Sequence, residues 1–143
     1  MLTQKRLDEL TYEVIGAAIE VHKTIGIGLL ESVYHQCMKE ELLHRKIKFL
    51  TEAKVPLIYK DKALDADFRC DLMVENCLVV ELKSVQVMSN IFEAQLLTYM
   101  KLLKAPKGVL INFNCKNIFQ EGQKTFVNEY FKLLPKDDVA IIK

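Results

Sequence analysis

The chain has 143 residues, of which 50% are hydrophobic and 27% charged, with a formal net charge of +1. Such a length suits one domain with a buried core, and no stretch approaches the ~20 apolar residues that a bilayer span needs. The near-neutral charge neither requires nor excludes nucleic acid, because a basic groove can lie inside a balanced total.

The opening MLTQKRLDEL lacks the apolar core of a signal peptide, so the cytoplasm is the expected compartment. Four cysteines, Cys37, Cys70, Cys77 and Cys115, form no CxxC pair and match no zinc spacing. Each sits in an apolar stretch, which predicts reduced, mostly buried thiols.

In chain order, apolar residues at Leu7, Leu10, Val14, Ala17, Ala18, Val21 and Ile25 predict a helix from Thr3 to about Thr24. Gly26 and Gly28 close it, since glycine enters the left-handed conformation at little cost. A second helix is predicted from about Leu30 to Arg45, with Val33, Cys37 and Leu42 among its apolar positions. Segments 48–59, 63–74 and 77–83 then change to a strand-like pattern rich in Val, Ile, Leu and Phe, an antiparallel meander. A third helix is expected over Asn90–Lys104, stopped by Pro106-Lys107-Gly108, followed by a wholly apolar strand at Val109–Phe113. Segments 124–131 and 138–142 are read as one or two edge strands. No linker or repeat divides the chain, so residues 1–143 are read as one α/β (α+β) domain, sheet packed on helices.

The chemistry concentrates in RCDLMVENCLVVELKS, residues 69–84. Alternation puts Leu72, Val74, Leu78, Val80 and Leu82 on one face and Arg69, Asp71, Glu81 and Lys83 on the other. A reversal near Glu75-Asn76 pairs the two strands. One register sets Asp71 opposite Glu81; a strict two-residue turn would put them on opposite faces. The aliphatic pattern favours the first, and so predicts a three-residue or bulged turn.

Two opposed carboxylates repel, and a cation relieves that repulsion; oxygen ligands of this kind suit Mg²⁺ or Mn²⁺. Lys83 on the same face would stabilise developing negative charge or position a water. A polar strand face with ordinary cross-strand ion pairs accounts for the same charges and, on spacing alone, is the commoner case.

In SNIFEAQLLTYMKLL the stripe Phe92, Gln95, Tyr99, Leu102/Leu103 places Gln95 and Tyr99 on the packed face. A buried glutamine must find partners, either backbone or a water or phosphate near a strand end. LESVYHQ, residues 30–36, places Glu31 and Tyr34 on one side of the second helix, where a carboxylate is unexpected. His22, His35 and His44 have no Cys or Asp at ligand spacing and are set aside as ligands, His35 being the least remote. Asp65 and Asp67 read as turn and solvated-face residues, and the scattered lysines as solvated surface. There is no phosphate-cradling glycine loop and no nucleophile elbow.

These residues together resemble a known set. Gly28-Leu29-Leu30-Glu31-Ser32-Val33-Tyr34 matches the signature of the GxxExxY family, and Asp71…Glu81-Leu82-Lys83 matches the D…ExK core of the PD-(D/E)XK nuclease superfamily that contains it. Gln95…Tyr99 resembles the QxxxY helix motif found in a subset of those nucleases, and Leu110–Phe113 the strand that follows it. Cys70 stands where the superfamily's name has proline.

The resemblance implies a restriction-endonuclease-like core, a mixed central β-sheet flanked by helices. It implies a Mg²⁺ (or Mn²⁺) site held by Glu31, Asp71 and Glu81, helped by the Leu82 carbonyl. Lys83 and Gln95 would assist hydrolysis of a phosphodiester bond, with Tyr34 and Tyr99 in support. Nucleic acid, DNA foremost, is the implied partner; a homodimer is left open and no membrane contact is expected. The rival reading is a non-enzymatic module of the same fold that binds nucleic acid or a protein.

Overall fold

The structure is a computed structural model and describes residues 1–137. Its first helix, α1 (Gln4–Ile25), begins where the Thr3 hydroxyl accepts the Arg6 amide at 3.0 Å, satisfying a group with no partner inside the helix. Its buried face carries Leu7, Leu10, Val14, Ala17, Ala18 and Val21, the stripe that the spacing predicts. Gly26 and Gly28 take φ of 80° and 87°, and the Gly26 amide returns to the His22 carbonyl at 2.9 Å. Helix α2 (Glu31–His44) buries Tyr34, Met38 and Leu42. Val33 and Cys37 lie only half-buried beside that face.

Five strands follow: β1 (Phe49–Tyr59), β2 (Lys62–Val74), β3 (Leu78–Lys83), β4 (Lys107–Asn112) and β5 (Gln123–Val127), in the sheet order β1-β2-β3-β4-β5. Neighbours run antiparallel except β3 and β4, which are parallel. A parallel pair needs a crossover, and helix α3 (Asn90–Leu103) supplies it. Leu72, Val74, Leu78, Val80, Leu82, Val109 and Ile111 form one core with α1 and α2. Met73, Val79 and Leu110 form a second core with α3. The result is the mixed sheet between helices that the sequence leads one to expect.

Pairs Leu72↔Val80, Met73↔Val79 and Val74↔Leu78 fix the β2–β3 register. Glu75, Asn76 and Cys77 therefore make a three-residue turn, with Glu75 and Asn76 at positive φ of 47° and 58°. This is the register that keeps the large aliphatics on one side. All four cysteines are free; Cys70 and Cys77 are buried, whereas Cys37 and Cys115 are half-buried. Among the described residues, no helix is long and apolar enough to cross a membrane.

Three expectations need correction. Strand β4 begins at Lys107 rather than Val109, because the Lys107 Nζ reaches Asp8 Oδ1 at 2.7 Å and lies over the Phe131 ring, which makes burial of this end tolerable. Among the described residues the tail is extended only through β5. Asn128 then accepts the Tyr130 and Phe131 amides and starts a short helix, α4 (Glu129–Lys132), as Asn commonly does at an N-cap. The expected strand at 138–142 lies outside the described residues.

The third correction concerns α3, whose buried residues are Leu96, Tyr99 and Met100, leaving Gln95 exposed. The cause lies across the interface. A Cβ built on Gly108 of β4 would meet Met100 Sδ at 2.7 Å and Leu96 Cδ1 at 2.9 Å, so the missing side chain is what lets these two residues face the sheet. Gly108→Ala is accordingly expected to destabilise the fold by about 1–3 kcal/mol through overpacking, read as a lower urea midpoint at unchanged slope.

Candidate metal centre

The centre forms where β2 and β3 part. Their ladder ends at Leu72↔Val80, and beyond it the Asp71 carboxylate takes the place of a backbone partner. Asp71 Oδ2 accepts the Leu82 amide at 2.7 Å, while the Asp71 amide faces Glu81 Oε2 at 3.4 Å. On the other edge of β2, Glu52 and Asp71 are left unpaired between Thr51↔Leu72 and Ala53↔Cys70, and Glu52 adopts a φ of 47°.

The strict alternation expected through this stretch is interrupted here. Cys70 packs with the α3 core and Leu72 with the α1/α2 core, although residues two apart in a regular strand share a face. The sequence reading that sets Arg69, Asp71, Glu81 and Lys83 in one row is corrected to that extent. Arg69 instead pairs with its neighbour Asp67 at 3.0 Å.

Helix α2 brings the other half of the site. Glu31 is its first residue and His35 lies one turn on, so both project from one side toward β2. His35 Nε2 is 3.4 Å from Asp71 Oδ2 and 3.9 Å from Glu31 Oε1. One ligand atom from each of Glu31, His35 and Asp71 lies within 4.8 Å of the others. Two ligands on a single Mg²⁺ at ~2.1 Å stand at most about 4.2 Å apart, so modest side-chain adjustment would let these three share one ion. They open onto a cleft of about 450 Å³ that Ser32, Gln36, Lys39, Thr51 and Glu52 also line.

Tyr34 holds this end of α2 in place. Fully buried, its ring stacks on Phe113 at 4.4 Å and 7°. Its hydroxyl donates to the Gly26 carbonyl at 2.7 Å and lies 3.4 Å from the Leu29 amide. Ser84, directly after Lys83, donates to the Leu29 carbonyl at 2.8 Å. The glycine loop before α2 and the end of β3 are thus tied together, and Glu31 is delivered beside the strand carrying Glu81 and Lys83.

Burial pushes the Glu81 carboxyl up, and the hydrogen bond and charge of Asp71 push it further, to about 9; Lys83 only partly offsets this. Glu81 is 3% exposed. Burial also acts upward on Asp71, but hydrogen bonds from His35, Glu81 and the Leu82 amide outweigh it and leave this carboxyl below its ordinary value. Of the two acids, Glu81 is thus the one that holds its proton more readily and Asp71 the one that ionises first. His35 is raised by its hydrogen bond to Asp71, against the opposing effect of burial, with the charges of Asp71 and Glu31 adding to the rise. Burial raises the Tyr99 phenol, and the charges of Glu81, Asp71 and Cys70 raise it further, which places this residue in the field of the acids.

The other expected residues are distributed around this nucleus. The Lys83 ammonium lies over the Phe92 ring at 4.6 Å from its centroid. Gln95 points outward from α3 and is exposed, whereas Tyr99 is buried against Phe68. Glu81 meets the Asp71 amide but is not in the group of ligand atoms that Glu31, His35 and Asp71 bring together. His35, set aside in the sequence for lack of a nearby Asp or Cys, is the residue that linear reading misses. The available signal was its place four residues after Glu31, which puts the two on one helix face. His22 is occupied differently, its Nε2 lying 2.8 Å from the Cys115 carbonyl.

Residues 8–125 match the family model described as the PD-(D/E)XK nuclease superfamily. The chain belongs to this superfamily. A PD-(D/E)XK-type fold accounts for a D…ExK pair meeting where two central strands part. Among solved structures, that of SSO0001 is similar over 78% of this chain, at 19% identity and a TM-score of 0.54. The chain spans only 53% of that protein's length, and the likeness is one of fold. No curated protein matches the chain significantly.

The raised Glu81 carboxyl has a measurable consequence. A carboxyl whose value is raised on folding binds a proton that the unfolded chain has released, so its contribution falls as pH rises from the ordinary glutamate range toward about 9. His35 acts in the same direction. The metal-free protein should melt at progressively lower temperature across that window, and Glu81→Gln should flatten the profile. Divalent-ion affinity should rise over the same window, by about tenfold per pH unit where one proton is displaced; calorimetry in buffers of different ionisation heat counts the protons.

Proposed function

We propose that this chain is a divalent-metal-dependent nuclease that hydrolyses phosphodiester bonds in DNA, of the GxxExxY type within its superfamily. The observation that carries the reading is the convergence on one carboxylate, Asp71, of the ExK strand from one side and the GxxExxY helix from the other. A Mg²⁺ or Mn²⁺ bound there supplies charge neutralisation of the scissile phosphate and a more acidic water.

The residues divide the remaining work. Asp71 and Glu31 would hold the ion, and Glu81, beside Asp71, would be the third acid available to it. The Leu82 carbonyl leaves its strand on the same edge as the amide that meets Asp71, which aims it into the same gap. Lys83 supplies a cation beside Glu81, and its ammonium rests over the Phe92 ring. It is available to stabilise charge that builds on the phosphate. Gln95 is exposed on the neighbouring helix and is assigned to contact the nucleic-acid backbone rather than the reacting group. Tyr34 positions Glu31, and Tyr99 borders the acids.

The test is incubation with single-stranded, duplex and branched DNA and with RNA, in Mg²⁺ or Mn²⁺. Cleavage is expected with wild type, with a loss of about a hundredfold or more in Glu81→Ala and Lys83→Ala. Absence of cleavage on every substrate with either metal, together with equal DNA binding by wild type and Glu81→Ala, would establish the binding-module reading instead. Tyr34→Phe keeps the stack on Phe113 but loses the hydroxyl's contacts. It should cost about 1–2 kcal/mol in denaturant unfolding and weaken metal binding through a less ordered Glu31.

A further inference from the structure

Two surfaces away from the acidic centre complement each other, the free end of the β1–β2 hairpin and the groove between α1 and α2. We infer that the hairpin tip is a docking element that seats in the α1/α2 groove of a second copy of this chain. The contact depends on neither metal nor cleavage.

The hairpin outruns its sheet. Strand β3 pairs with β2 only over Leu72–Val74, so residues 62–70 have β1 as their one strand neighbour. Helix α3 supports the near half of this ribbon, where Val55 and Phe68 pack into its core and the Phe68 ring lies 6.2 Å from that of Tyr99. Beyond it come the pairs Leu57↔Leu64, Ile58↔Ala63 and Tyr59↔Lys62. Lys60 and Asp61 close the ribbon, both at positive φ, in the two-residue turn that suits a twisted hairpin. Ile58 and Tyr59 are 63% and 61% exposed, and Leu64 41%. Opposed residues share a face of the ribbon, so Leu57, Tyr59, Lys62 and Leu64 present one surface. A two-stranded ribbon gains little stability from its own contacts, and large apolar side chains gathered in solvent mark a contact surface.

The groove supplies the counterpart. It encloses about 570 Å³ between the end of α1 and the second half of α2. Val21, Ile25 and Cys37 are its apolar part and Glu20, Glu40 and Glu41 its charged part, with no lysine or arginine in the lining. Glu41 already pairs with Arg45 at 2.7 Å, and Glu20 accepts the Thr24 hydroxyl at 3.4 Å. Glu40 is exposed and, among the described residues, in no ion pair; the same holds for Lys60 and Lys62. One surface therefore offers apolar side chains beside an unpaired ammonium, and the other an apolar hollow beside an unpaired carboxylate. Lys62, on the same face as Tyr59, is the natural match for Glu40.

This charge arrangement selects protein over nucleic acid. The glutamates of the groove repel phosphate, and along the hairpin Asp61, Asp65 and Asp67 offset the lysines. Two copies that dock reciprocally close on a two-fold axis and make the contact twice. Gln36 lines both the groove and the acidic cleft, so a seated hairpin borders the candidate centre.

The experiment is analytical ultracentrifugation of the metal-free full chain across the micromolar range, at low and high salt. Wild type is compared with Tyr59→Ser, Lys62→Glu, Glu40→Lys and the double variant Lys62→Glu/Glu40→Lys. All three positions are exposed, and circular dichroism confirms that each variant folds. Wild type should pass from monomer to dimer, less readily at high salt. Each single variant should weaken association by about tenfold or more, and the charge-swapped double variant should recover it. A wild type that stays monomeric throughout overturns the inference, as does a double variant no better than the single ones. Unchanged association in Tyr59→Ser, with weaker binding of a fluorescent DNA duplex, overturns it in favour of a nucleic-acid arm.

Discussion

One hydrogen bond organises the acidic end of this molecule, the 2.7 Å contact from the Leu82 amide to Asp71 Oδ2. A β-ladder that stops leaves amides without partners, and a buried amide without a partner is costly. Here a side chain takes over where the backbone pairing ends. The substitution keeps β3 satisfied while β2 moves away, and it locks the carboxylate into the gap that opens. Glu81 and His35 both meet Asp71 there, so the break in the sheet and the assembly of the site are one event.

The rest of the fold is arranged to hold that gap steady. Parallel pairing along the whole of β3 and β4 gives the strand carrying Glu81 and Lys83 a second, uninterrupted neighbour. Asn112 at the end of β4 accepts the Val85 and Asn114 amides and donates to the Val85 carbonyl, which secures the chain just after Lys83. Tyr34 against Phe113 couples α2 to the residue following β4. Each support lies one step away from the acids themselves, a common way to fix functional groups without occupying the space a ligand needs.

Much of this was legible in the sequence because it follows from periodicity. The aliphatic run from Leu72 to Leu82 has one register that buries all its members, and that register dictates the turn. The glycine pair after α1 and the apolar stretch of β4 read as directly. What escaped depended on contacts far apart in the chain. Helix α3 is apolar on too wide an arc for spacing alone to choose between Gln95 and Leu96; the choice is made by Gly108 on a strand that follows. His35 gains its importance from Asp71, 36 positions away by number, and no local rule brings them together. The interruption at Glu52 and Asp71 was equally hidden, since alternation predicts a strand without saying where its partner will leave.

The unequal acidity of Glu81 and Asp71 bears on assembly. Two ionised acids buried side by side would oppose closure of the sheet around them, and a chain built that way would need its cation in order to fold. A Glu81 carboxyl that resists ionising brings no second charge into the closing sheet, so the pair opposes that closure less than two equal acids would.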